Sequence, residues 1–160
     1  MGNPSSFELS TELGNRKIFI LMLKHGVDLN KKSIVLGGML PLHIALSKAD
    51  GSPLFNSRCA IDLIDAGADF SAPDDLGNFP IHLASENGYS DVLVELLRVS
   101  PEYINELNYD GCVPLIIAAK SGCDDVVWLL LRFAAESPEN LKEILPGGLK
   151  NGRDLKINVR

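Results

Sequence analysis

Three strings in this chain repeat one another. They are Met39-Leu40-Pro41-Leu42-His43-Ile44-Ala45, Asn78-Phe79-Pro80-Ile81-His82-Leu83-Ala84 and Cys112-Val113-Pro114-Leu115-Ile116-Ile117-Ala118. Their prolines are 39 and 34 residues apart. Each string is followed by a polar break and then an aliphatic segment with helical spacing. A period of this length signals stacked helical units, none of which can bury its apolar face alone. It does not suit a single enzyme core.

The surroundings of each string repeat too. Ahead of Pro80, Asp74-Asp75-Leu76-Gly77 reads as a hairpin, and Gly88 supplies a turn after it. Val92, Leu93, Leu96 and Leu97 then form an aliphatic helix face. The next unit gives Gly111, Gly122, Val126, Val127, Leu130 and Leu131 at the same spacing. The second unit closes on Leu63-Ile64-Asp65-Ala66-Gly67-Ala68-Asp69. A degenerate first unit has Gly14 at its turn, a helix over 18–23, and Gly26-Val27-Asp28-Leu29-Asn30 at its close. Its segment 6–10 has lost the motif.

This arrangement resembles the ankyrin repeat. That family's pattern is a turn Gly, T-P-L-H-x-A opening an inner helix, a Gly turn, an outer helix ending in L-L, and G-A-D. The resemblance covers roughly residues 6–135. It implies an all-α helix-turn-helix repeat solenoid with short β-hairpin or loop connections, about four units plus a C-terminal helix. The array occupies 1–136, with units at about 5–33, 34–72, 73–106 and 107–136. Residues 137–160 hold a C-terminal helix and a basic tail, read either as a cap or as a truncated further unit. Neither end reads as a polar cap, which favours a piece cut from a longer repeat protein.

Each unit is mechanically sensible. Pro suits a first helical position, where its fixed φ fits and no N–H is needed. Gly77 and Gly111 sit where a tight turn calls for positive φ. Val92/Leu96 and Val126/Leu130 share a helix face at i, i+4. The departures are informative. Leu40, Phe79 and Val113 replace the capping Thr, and a lost cap costs on the order of 1 kcal/mol. The array is therefore either weakened, or its apolar replacements pack against something. Ile116 stands where His is expected. About six extra residues near 49–54 lengthen the interhelix loop of the second unit, placing Cys59 at the start of its outer helix. Ser137-Pro138 reads as a helix start, with Leu141, Ile144 and Leu145 on one face.

Chemistry is sparse. His43 and His82 lie in the repeat motif, where a ring bonded to backbone is expected. His25 suits a helix C-terminus. No H-E-x-x-H occurs, and the Gly pairs at 37–38 and 147–148 lack a phosphate loop's Lys. Asp74-Asp75 and Asp124-Asp125 are adjacent, so their side chains diverge. The three cysteines lack C-x-x-C spacing and read as thiols in a reducing compartment. No catalytic residue, metal ligand or cofactor is expected. No run reads as long and apolar enough to span a membrane, and residues 1–5 do not read as a signal peptide, so neither is expected.

Charge is more informative than any motif. Between Cys59 and Leu97 there is no Lys or Arg, while eight Asp and Glu crowd the stretch. Arg16, Lys17, Lys24, Lys31 and Lys32 lie before it, and Lys150, Arg153, Lys156 and Arg160 far after it. An acidic middle in a chain of net charge −6 repels phosphates, so nucleic acid is not expected as the ligand. It suits a protein partner with a basic or mixed-charge face.

The resemblance implies a non-enzymatic, cytoplasmic protein-interaction module, monomeric, binding through hairpin tips and inner helices. By position, its binding residues are Leu36 and Met39 in the second unit. In the third they are Asp75, Leu76, Asn78, Glu86 and Asn87, and in the fourth Tyr109, Asp110, Cys112 and Lys120. Leu36, Met39, Leu76 and Tyr109 are expected to face solvent, unless neighbouring hairpins pack on them. The alternative is a targeting module of a larger multidomain protein, such as a bacterial effector acting in host cytoplasm or a signalling protein. On the outer face, Ile20, Ile61, Val94 and Trp128 form an apolar column. Trp128 is therefore expected to be covered, by the helix containing Leu141.

Overall fold

The computed structural model describes residues 20–21, 23–33, 36–47 and 53–136, of which 53–56 and 136 are described by backbone alone. The inner helix expected in the first unit and the C-terminal helix and tail lie outside these residues, as do positions 49–52 of the insertion. Residues 20–21 and 23–24 are helical, and from Pro41 on the described residues form six α-helices in order: α1 (Pro41–Leu46), α2 (Pro53–Asp65), α3 (Pro80–Asn87), α4 (Ser90–Val99), α5 (Pro114–Ser121) and α6 (Asp124–Glu136). A 3-10 helix, η1 (Pro101–Asn105), follows α4. No strand occurs among the described residues. Connections expected as short hairpins are turns closed by backbone bonds, such as Asp74 N–H to Asn78 C=O and Gly77 N–H to Asp74 C=O, both at 3.0 Å.

The helices form two layers. Inner helices α1, α3 and α5 stack in sequence, each opened by its motif Pro. Outer helices α2, α4 and α6 form the second layer, each packed against its own inner helix and its outer neighbour. The predicted aliphatic face lies between the layers: Val92, Leu93, Leu96, Leu97, Val126 and Leu130 are all buried. Burying one such side chain contributes roughly 1.5–3 kcal/mol. The Ser57 hydroxyl also donates to the Asp91 carboxylate, joining α2 to α4.

Neighbouring units are clamped by the motif histidines. His43 Nδ1 accepts the N–H of Leu40 at 3.2 Å, closing the helix start, while Nε2–H donates to the Asn78 carbonyl of the next unit at 3.0 Å. His82 repeats this with Phe79 N–H at 3.1 Å and the Glu106 carbonyl at 2.9 Å. Both partners need the neutral tautomer with its proton on Nε2. Burial pushes both imidazoles below their ordinary value, against the opposing pull of those carbonyls.

The ring nitrogen thus satisfies the N–H of the residue that stands in the Thr position, but no side chain there caps the helix. The replacements have found packing. Leu40 is buried. Phe79 lies 5.4 Å from Tyr103, centroid to centroid, and 5.8 Å from the His82 ring. Tyr103 sits on η1 and also meets Phe70 edge-on at 6.2 Å.

Two expectations about helices need correcting. Cys59 does not begin the outer helix, since α2 starts at Pro53 and buries Cys59 mid-helix. Pro53 takes the first helical position, so the end of the insertion is helix rather than loop. The η1 turn after α4 was not anticipated. In the outer-face column, Ile20 and Ile61 are half-buried, and Val94 and Trp128 are 46% and 65% exposed. Trp128 is thus not covered by any described residue, and the helix expected over it lies outside them.

Candidate protein-binding groove

Two side-chain oxygens, one carboxylate and one carboxamide, build the turns that present the groove. Asp74 is buried, and its Oδ1 accepts the N–H groups of Leu76 at 2.9 Å and Asn78 at 2.8 Å. Asn108 does the same one unit on, accepting from Asp110 at 3.1 Å and Cys112 at 2.9 Å. A side-chain oxygen that satisfies two loop amides fixes the turn without a strand ladder. Gly77 completes the first turn at φ +77°.

The turns are also bonded to each other. Asp75 N–H donates to Gly37 C=O at 3.0 Å, and Tyr109 N–H to Leu76 C=O at 3.2 Å. Asn108 Nδ2 donates to Asn78 Oδ1 at 2.9 Å. The Tyr109 ring lies over Gly77, where any Cβ would collide with it, and Asp75 covers Gly38 likewise. Glycine is needed at these positions for close approach as much as for φ.

Between the turns and the inner helices α3 and α5 lies an open groove of about 300 Å³. It gathers Leu76, Asn78, Glu86, Asp110, Cys112 and Lys120, six of the residues singled out in the sequence. Leu76 is 66% exposed at its rim, and Tyr109, beside it, is 75% exposed. Lys120 Nζ reaches the Cys112 sulfur at 3.2 Å, and that thiol is buried in the floor. Among the described residues, the exposed carboxylates of Asp75, Glu86 and Asp110 meet no Lys or Arg. Hydrogen bonds from Ser71 hold the Asp69 carboxyl below its usual range.

The remaining candidates fall elsewhere. Leu36 and Met39 are half-buried rather than solvent-facing, because the Leu36 amide bonds to Ser33 Oγ and Met39 closes the turn onto Ser33. Asn87 is turned inward: its Nδ2 donates to Leu46 C=O at 2.8 Å and Leu83 C=O at 3.1 Å, stitching α3 to α1. Asn108 and Ile117 line the groove without having been singled out. Asn108 had a legible signal, since it holds the turn position of Asp74. Ile117 had none, because its apolar face reads as core.

Stacked helix-turn-helix units, bonded tip to tip, define a repeat solenoid with an open groove along one side. A family model described as ankyrin repeats (3 copies) matches residues 52–140, and the chain belongs to that family. It is 32% identical to the Neurogenic locus Notch protein of Drosophila melanogaster over 115 residues, 72% of this chain and 4% of that protein. It is 33% identical to human Neurogenic locus notch homolog protein 2 over 101 residues, 62% of this chain and 4% of the relative. The chain thus spans only a few per cent of the length of these relatives. Among the described residues, no helix is long and apolar enough to cross a membrane.

Proposed function

We propose that this chain is a non-enzymatic protein-interaction module that binds its partner along the turn tips and the groove between α3 and α5. Ankyrin repeats are in general protein-binding modules, and this array supplies the parts such binding needs. The observation that carries the reading is the exposure of Leu76 and Tyr109 on bonded, preformed turns beside carboxylates that, among the described residues, pair with no Lys or Arg. Aromatic anchors are enriched at interfaces, and a preformed surface loses little entropy on binding. The carboxylates give the partner a basic or mixed-charge face. The array of four units over 1–136, a monomeric state and a cytoplasmic setting belong to the same proposal.

The reading is tested by capturing a partner with the whole chain and then titrating the purified pair. Leu76→Glu and Tyr109→Ala should each weaken binding by about tenfold or more while circular dichroism and Tm stay near wild type. Unchanged affinity in both variants would move the site to the outer helices or the 49–54 insertion. A second reading is a targeting module within a larger multidomain protein. The length of the relatives, of which the match takes a few per cent, favours it.

A further inference from the structure

The three cysteines meet different surroundings. Cys59 is fully buried within α2. The Cys123 sulfur faces the carbonyls of Glu86 at 3.5 Å and Ser121 at 4.0 Å. Cys112 has an amine against it, since Lys120 Nζ donates to its sulfur at 3.2 Å.

Both members of this pair are held in place. Asn108 Oδ1 accepts the Cys112 N–H at 2.9 Å, and Asn108 N–H donates to the Cys112 carbonyl at 3.1 Å, so the sulfur sits on a bonded turn. Lys120 lies in the last turn of α5. Helical side chains lean toward the helix N-terminus, and Cys112 stands at that end, just ahead of Pro114. Glu86 and Asp110 line the same groove, yet among the described residues the Lys120 ammonium pairs with neither carboxylate. The groove is open, so a small solute reaches the sulfur although Cys112 is only 9% exposed. A thiol and a primary amine fixed in contact react with the advantage of an intramolecular step.

We propose that Cys112 and Lys120 are an oxidative cross-linking site, at which a peroxide joins Sγ to Nζ as a sulfenamide. First the thiol sulfur attacks the peroxide, the O–O bond breaks, and Cys112 becomes a sulfenic acid with release of one water. The sulfur loses two electrons and the peroxide gains them. Lys120 then gives its extra proton to solvent, and Nζ attacks the sulfenic sulfur. The N–S bond forms, the S–O bond breaks, and the hydroxyl leaves as water with a second amine proton. This step is redox-neutral. A second cysteine ordinarily resolves a sulfenic acid, and here the amine at contact distance takes that part. Excess thiol reverses the link, restoring both side chains and leaving the reductant as its disulfide. The link also removes the Lys120 charge from a groove lined by Glu86 and Asp110. On the binding reading above, the oxidised groove draws a basic partner more strongly; the cross-link itself stands without that reading.

The test treats the full chain with hydrogen peroxide and reads its intact mass, then its peptide map. The wild type should become about 2 Da lighter, with the Cys112 and Lys120 peptides joined, and dithiothreitol should restore the original mass. Cys112→Ser should give no joined species. In Lys120→Arg, which keeps a cation and loses the amine, Cys112 should advance to the sulfinic acid, about 32 Da heavier. Cys123→Ser should cross-link as the wild type does. Circular dichroism checks that each variant is folded, and the wild type unfolded in urea should cross-link several-fold less. A folded wild type that gains oxygen at Cys112 without joining would overturn the proposal. So would a link that forms equally in urea, equal sulfinic acid in wild type and Lys120→Arg, or a Cys112 disulfide between two copies as the main product.

Discussion

His82 shows how much one residue can hold. Its two nitrogens satisfy an N–H of its own unit and a carbonyl of the next, with the ring buried. Replacing it with Ala strands both groups, at a cost of roughly 1–3 kcal/mol each in the worst case. The same chemistry makes stability depend on pH. Burial favours the neutral ring in the fold, so the folded value lies below the unfolded one, about 6.5. Between those values the unfolded chain binds more protons, and stability rises with pH. The contribution is therefore complete above about pH 6.5 and lost as pH falls through it towards the folded value. The denaturation midpoint should drop between about pH 7.5 and about pH 5, and the drop should be smaller in His82→Ala. Equal slopes in the two proteins would remove His82 from the account.

Among the elements, the start of α3 carries a second lesson. Thr is the family residue at the position of Phe79, and restoring it looks like an improvement. The N–H that a capping Thr would serve, that of His82, already donates to the Phe79 carbonyl at 2.9 Å, however, and the Phe79 ring packs on Tyr103 of η1. Phe79→Thr should therefore destabilise by about 1–3 kcal/mol, read from urea denaturation, instead of stabilising. The inner helices were legible because Pro and the aliphatic period mark them independently. The η1 turn was not, because Ser100-Pro101 reads equally as a plain loop, and only the packing of Tyr103 between Phe70 and Phe79 selects it. The start of α2 was missed for a related reason. Pro53 follows Gly51-Ser52, so its helix-starting role was hidden in what looked like loop composition.

At the scale of the whole molecule, the groove was legible in part. The motif register located Leu76, Glu86, Asp110 and Lys120, since position in the repeat fixes position in the solenoid. It did not foretell the half-buried state of Leu36, Met39 and Asn87, which goes with bonds to Ser33 and α1 that the register does not contain. The charge pattern belongs to this scale as well. With eight acids and no base between Cys59 and Leu97, a basic partner should be drawn in over several ångströms. Its association rate should fall several-fold between about 50 mM and about 500 mM salt, with dissociation little changed. Stopped-flow mixing would measure both, and a rate indifferent to salt would remove steering from the account.

The bridging histidines also bear on how such a chain can be rearranged. Each ring is finished by a carbonyl that another unit owns, at Asn78 and at Glu106. Excising or transplanting a unit therefore severs a bond in the one left behind, and a foreign neighbour must bring a carbonyl to the same place. These repeats are not interchangeable bricks. Among the described residues, shuffling is easiest beyond the unit that carries Ile116, where no ring waits for a partner.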